Sequence, residues 1–133
     1  MGGNEFAEAV ADLIRSTGLT VHLDLVPDDP RYPYVALYFD GGRGSDVSLA
    51  ARQELTRFYP RLTCVGVDAS QVRRVRDRAR SVIGQTVTAG GLMARVLVAA
   101  SIPVQRDDSL PDRVVLFAVD TLKIDAYAQF TTS

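Results

Sequence analysis

A chain of 133 residues with 47% apolar side chains is sized for one domain with its own core, which excludes general disorder. Fifteen basic against sixteen acidic side chains leave a formal net charge of -1, so bulk electrostatics point away from nucleic acid or an anionic membrane as partner. One cysteine, Cys64, and one histidine, His22, exclude an internal disulfide and a thiolate–imidazole metal cluster within the chain.

The first residues, Met1 to Glu5, carry neither a positive region nor a signal-peptide core, and no apolar run approaches the ~20 residues a membrane span needs. The expectation is a soluble protein made in a reducing compartment. From Glu5 to Thr17, Phe6, Val10, Leu13 and Ile14 fall on one helical stripe, with Asn4 as the expected N-cap and Gly18 as the stop. Leu19 to Val26 alternates, with Leu19, Val21, Leu23 and Leu25 on the face expected to be apolar. A turn at Pro27 to Pro30 leads into a second strand from Pro33 to Asp40. The Gly-rich stretch from about 41 to 51 reads as a flexible loop.

Arg52 to Val67 reads as one long strand, roughly 50 Å if fully extended at about 3.3 Å per residue. Pro60 inside it has no amide hydrogen to donate, which predicts an edge position, a bulge or a break there. Leu62 to Gly66, running through Asp68-Ala69-Ser70-Gln71, reads as strand, tight turn and capped helix start, and Val72, Val75, Ala79, Val82 and Ile83 then share one arc of a helix from about Ser70 to Gly84. Two strands close the chain, Leu92 to Val104 and Arg113 to Ile124, joined by a hairpin loop at about 105 to 113. The expected order is α-β-β-β-α-β-β, a single α+β domain over 1 to 133 with a mostly antiparallel sheet and two helices packed on it.

No pattern in the chain carries catalysis. Gly41-Gly42-Arg43-Gly44 lacks the Lys-Ser/Thr ending of a phosphate loop and the context of a dinucleotide fingerprint. The pairs Asp28/Asp29 and Asp107/Asp108 lie in turn sequence, where aspartate is favoured for local hydrogen bonds, and neither has calcium-loop spacing. Cys64 reads as a small buried hydrophobe, and no sequence feature couples it to His22. The expectation is therefore no catalytic residue, no cofactor and no metal. Arg73, Arg76 and Arg80 flank the apolar arc of the second helix on one side, and Arg74 and Arg78 flank it on the other. They read as a basic flank with stems over the core edge and heads in water, with phosphate or partner contact as the alternative. Arg106-Asp107-Asp108 and Asp112-Arg113 make a mixed-charge hairpin, able either to solvate the turn or to set register between subunits.

Pro33-Tyr34-Val35-Ala36-Leu37-Tyr38, then Thr63-Cys64-Val65-Gly66 before an arginine-rich helix, then the Arg106-Asp107-Asp108 hairpin and Phe117-Ala118-Val119-Asp120 follow one another in the order of a known family. The chain resembles the tail terminator (tail completion) proteins of long, non-contractile-tailed phages and prophages of actinobacterial type, over nearly its whole length. That resemblance implies a ring, typically a hexamer, capping the last ring of the tail tube, stopping its polymerisation and offering a surface to a head-side connector. Tail tube protein and connector would be its partners, the head–tail junction of the virion its place, and the host cytoplasm the site of assembly. No membrane would take part, and DNA contact would be confined to the ring lumen.

Carried over by motif, Arg106 and Asp107 would contact a neighbouring subunit or the tube, while Pro33, Tyr34, Cys64 and Gly66 would shape the fold. Together with Arg106 and Asp107, residues Arg43, Asp46, Asp108, Asp112 and Arg113 make up the expected interface set. Pro60 departs from the uninterrupted strand expected of the family. Two other readings compete: another head–tail connector such as an adaptor or stopper, and a small nucleic-acid-binding module using the Arg73 to Arg80 helix.

Overall fold

A computed structural model describes residues 2–39, 43–44, 55–89, 91–110 and 112–128. The first apolar stripe folds as α1 (Gly2–Arg15), with Phe6, Ala7, Val10, Ala11 and Ile14 buried. Asn4 is not the cap, because the helix already starts at Gly2; burial of Phe6 and Ala7 holds the first turn on the core without it. Gly18 ends this segment at φ 93°, the left-handed conformation expected of a glycine just past a helix.

Strand β1 (Val21–Leu23) is shorter than the alternation predicts. Asp24 takes φ 65° and turns the chain, its carboxylate accepting the Phe39 amide at 2.9 Å, so that Leu25 is left 81% exposed. Strand β2 (Tyr34–Tyr38) follows, and β3 (Arg43–Gly44) falls within the stretch expected to be a loop. The rest of that stretch, Asp46 included, lies outside the described residues. The long strand expected from 52 to 67 is broken where Pro60 predicts, into β4 (Leu55–Phe58) and β5 (Arg61–Gly66).

Helix α2 (Ala69–Arg80) starts at Asp68, whose carboxylate accepts the Gln71 amide at 2.7 Å. Gln71 Oε1 in turn accepts the Val67 amide at 2.8 Å, so two amides at the helix start are satisfied reciprocally. Strand β6 (Thr86–Ala89) was not anticipated; its Thr-Val-Thr-Ala alternation before Gly90-Gly91 is the signal that was passed over. Strands β7 (Leu92–Arg106) and β8 (Leu116–Ala128) are longer than expected and make a 15- and 13-residue hairpin.

The sheet runs β1-β2-β5 into β8, with β1–β2 parallel and every other pairing antiparallel. β7 takes one edge of β8 over its whole length, so β4 and β5 share the other, as two halves of one kinked strand. At the break, the buried Pro60 accepts the Leu122 amide through its carbonyl at 2.8 Å, but proline has no amide hydrogen to return the bond, so the ladder is interrupted there while the register stays the same, with Phe58 opposite Ile124 and Arg61 opposite Thr121. β3 and β6 add short pairings at β4 and β7. Counting β4–β5 as one strand and setting aside the two short ones, the order is the expected α-β-β-β-α-β-β in one α+β domain.

Both helices cover one face of the sheet, where Val35, Leu37, Leu62, Cys64, Ala118, Leu122 and Ile124 form the core with Phe6, Ile14, Val72, Val75 and Ala79. Phe58 anchors it, stacked on Phe6 and edge-on to Phe39 with both centroids 5.5 Å away. Strand alternation sends Tyr34, Ala36, Tyr38, Thr63, Val65 and Phe117 to the opposite, helix-free face.

Candidate functional site

Asp120, on the central strand β8, is 1% exposed and faces the helices. Arg80 grips it with Nε to Oδ2 at 2.8 Å and Nη2 to Oδ1 at 2.9 Å, and the Ser101 hydroxyl adds a bond of 2.7 Å from β7. Arg80 Nη2 also donates to Ser101 Oγ at 2.9 Å. Arg76 stands one turn earlier, its Nε 3.5 Å from Asp120 Oδ1, and donates through Nη2 to the Ile102 carbonyl. The Arg76 Nε is buried without a hydrogen-bond partner among the described residues. Two cations and a hydroxyl thus converge on one buried carboxylate.

Burial alone would raise the Asp120 pKa, but the bonds from Arg80 and Ser101 and the charges of Arg76 and Arg80 outweigh it and hold the carboxyl below its ordinary value. The bond to Asp120 likewise raises the Arg80 pKa. This arrangement corrects the wet basic flank expected of Arg73, Arg76 and Arg80. Arg73 is exposed, whereas Arg76 and Arg80 pin α2 to β7 and β8. The missed signal was Asp120 itself, an acid in the alternating apolar run of β8 that needs a cationic partner once buried.

Cys64 lies beside this cluster, buried, and its thiol is pushed up to about 12, first by burial and then by the Asp120 charge. A thiol so placed is not a nucleophile. His22 lies across from Ala36 on the helix-free face, its ring edge-on to Tyr34 with centroids 5.4 Å apart, so the sheet separates it from Cys64. Among the described residues no group of three His, Cys, Asp or Glu side chains is placed to hold a metal ion, and no helix is long and apolar enough to cross a membrane.

What the fold does build is surface for contact. The tip of the β7–β8 hairpin brings Arg106, Asp107, Asp108, Asp112 and Arg113 together. Asp107 shapes it: its carboxylate accepts the Ser109 amide at 3.0 Å, its carbonyl accepts the Leu110 amide at 3.4 Å, and its own amide donates to Val115 at 2.8 Å. Asp112 and Arg113 are only loosely paired, at 3.9 Å. Asp107 also borders a cavity of about 260 Å³ on the helix-free face with Tyr34, Thr63, Val65 and Phe117. Burial, followed by the neighbouring Tyr32, Tyr38 and Asp107, raises the Tyr34 pKa. Arg43 lies in β3, opposite Arg57, far along the sheet from this tip in pairing terms.

Val96 is bonded on the outer edge of β7 by Gly84 and Gln85, and from Leu97 to Arg106 that edge has no strand partner among the described residues. Leu97, Val98 and Ile102 are exposed along that stretch, and Met93 and Tyr127 beside its start. Pro103 and the register shifts at Val98/Ala100 and Ile102/Gln105 interrupt the edge and make it a poor template for open-ended strand addition.

No protein-family model matches the sequence, and comparison with curated proteins finds no match either. Among solved structures, a chain in the virion of a native gene transfer agent particle superposes with a TM-score of 0.70 at 12% identity, over 94% of this chain and 96% of that one. A second solved structure superposes with a TM-score of 0.59 at 18% identity, over 98% of this chain and 94% of the other. The shared property is the fold. Each match takes in nearly the whole of both chains, so the domain is compared as a unit and not as a fragment.

Proposed function

We propose that this protein is a structural component of a phage-like particle, a tail terminator whose ring caps the tail tube, stops its polymerisation and offers a surface for head joining. The observation that carries the reading is the whole-length fold shared with a chain of a gene transfer agent virion, in a sequence that resembles tail terminators in motif order. The site geometry supports it. The polar cluster that looked chemical is spent on holding α2 to the sheet, while the exposed features are a rigid charged hairpin tip and an apolar, unpaired strand edge.

A terminator must bind a tube subunit on one side and refuse the next tube ring on the other. A ring closed by heterologous contacts satisfies growth in the plane and leaves its two faces free to differ. The partners would be further copies of this chain, the tail tube protein and a head-side connector, at the head–tail junction. The nucleic-acid reading loses ground because Arg76 and Arg80 are committed to Asp120 and Asp77 sits among the exposed arginines.

Native mass spectrometry of the purified protein, alone and with isolated tail tube protein, tests the proposal. A closed ring, or a discrete ring on tube ends, is the expected result. A monomer that ignores the tube at every concentration overturns it.

A further inference from the structure

On the helix side of the sheet, the α1–β1 turn, the start of β2 and the outer face of α2 enclose an open groove of about 750 Å³ lined by Gly18, Thr20, Pro33, Gln71, Arg74 and Arg78. Val75 adds apolar wall and Asp77 a single carboxylate. Arg74 and Arg78 are one helical turn apart, so their heads sit side by side over the groove. A Cβ added at Gly18 would stand 3.7 Å from Arg78 Nη1, which shows that this guanidinium is drawn in over the turn. Arg73, Arg74 and Arg78 form no ion pair among the described residues. Exposed cations left unpaired beside a concavity are free to meet an anion brought by something else.

The same molecule carries a matching projection. The Asp107–Leu110 turn is internally braced and carries two carboxylates, Asp107 and Asp108, with a third, Asp112, just beyond it. Asp107 lies on the helix-free face beside Tyr34 and Phe117, whereas the groove lies on the helix face. Groove and tip are therefore two different surfaces of the molecule, and joining them between copies gives a head-to-tail contact. The signs match too: Arg106 and Arg113 at the tip have Asp77 in the groove to meet, as the exposed Asp108 and Asp112 have Arg74 and Arg78. Mixed-sign pairing of this kind sets register more than raw affinity.

We propose that the hairpin tip of one copy seats in the Arg74–Arg78 groove of the next, and that this contact closes the ring. The inference rests on the ring reading and names the surfaces that would make it. A patch of this size gives a modest contact, so the apolar edge of β7 supplies further buried area and the charged tip supplies direction.

Charge reversal with rescue tests it. One variant carries Arg74→Glu and Arg78→Glu, a second Asp108→Lys and Asp112→Lys, and a third all four changes; every position is exposed, and thermal melts confirm folding. Sedimentation velocity across concentration should show wild type assembling, each double variant associating roughly a hundredfold more weakly, and the fourfold variant recovering to within about tenfold of wild type. A fourfold variant as weak as its parents, or a double variant that assembles like wild type, overturns the contact and leaves the ring reading standing. Wild type that stays monomeric at every concentration also overturns it. In that case electron microscopy of the same sample with tube protein decides separately whether tube ends are still capped.

Discussion

At the residue scale, Asp120 is the most consequential polar side chain in the structure. Replacing it with Asn keeps its shape but leaves Arg76, with a side chain 14% exposed, facing no counter-charge. Breaking one side of such a pair costs about 3 kcal/mol, so Asp120→Asn should lower the urea midpoint accordingly. Because the folded carboxyl titrates below its ordinary value of 3.8, the stability it contributes is complete above that pH and lost as pH falls through the folded value. Wild type should therefore show an acid-side loss of stability that Asp120→Asn lacks, measured by denaturation at a series of acidic pH values. Cys64 gives a second check. With its thiol near 12, native protein should resist a disulfide exchange reagent at mildly alkaline pH and react promptly once unfolded. A fast native reaction would contradict the burial described.

At the element scale, the junction from β5 into α2 is set by two neighbouring residues. A Cβ on Gly66 would stand 2.8 Å from Gln71 Oε1 and 3.2 Å from Val72 Cγ2. Gln71 must then move and loosen its bond to the Val67 amide, and the buried Val72 must give as well, so Gly66→Ala should destabilise by about 1–3 kcal/mol. Asp68→Ala removes the N-cap and should cost about 1 kcal/mol, read from the same urea titrations. The junction was legible in sequence, since Gly66 followed by Asp68 and an amphipathic run names its own turn, cap and helix. The end of β1 was not legible. Leu19, Val21, Leu23 and Leu25 alternate as a strand should, but Asp24 leaves the β region to meet the Phe39 amide, a partner fifteen residues away that alternation does not encode.

At the scale of the whole molecule, the hairpin of β7 and β8 organises everything else. β8 is the central strand, with β7 along one edge and β5 and β4 along the other, so one long strand carries both halves of the kinked one. The tip that projects from it is exposed and locally braced, and its charges can be exchanged without touching the core. Arg106→Asp combined with Asp108→Arg, both exposed and away from the bracing Asp107, should leave a folded monomer by circular dichroism, yet impair maturation of tails under the terminator proposal. Normal-length, head-competent tails from that double variant would remove the hairpin from the interface.

Sequence by itself determined the two helices, the capped turn into the second, the break at Pro60, the α+β class and the mixed-charge hairpin. Each of those is written in local periodicity, in a backbone that lacks a donor or a Cβ, or in turn chemistry. Tertiary structure decided which arginines are surface and which are structural. Arg73, Arg76 and Arg80 share one side of the apolar arc in a helical wheel, and only the position of Asp120 across from α2 divides them. It also decided that β4 and β5 share one partner, and that a mixed-charge tip and an arginine-lined groove form separate surfaces. Those outcomes depend on residues tens of positions apart meeting across a sheet, and charge at such distances along the chain carries no local signature.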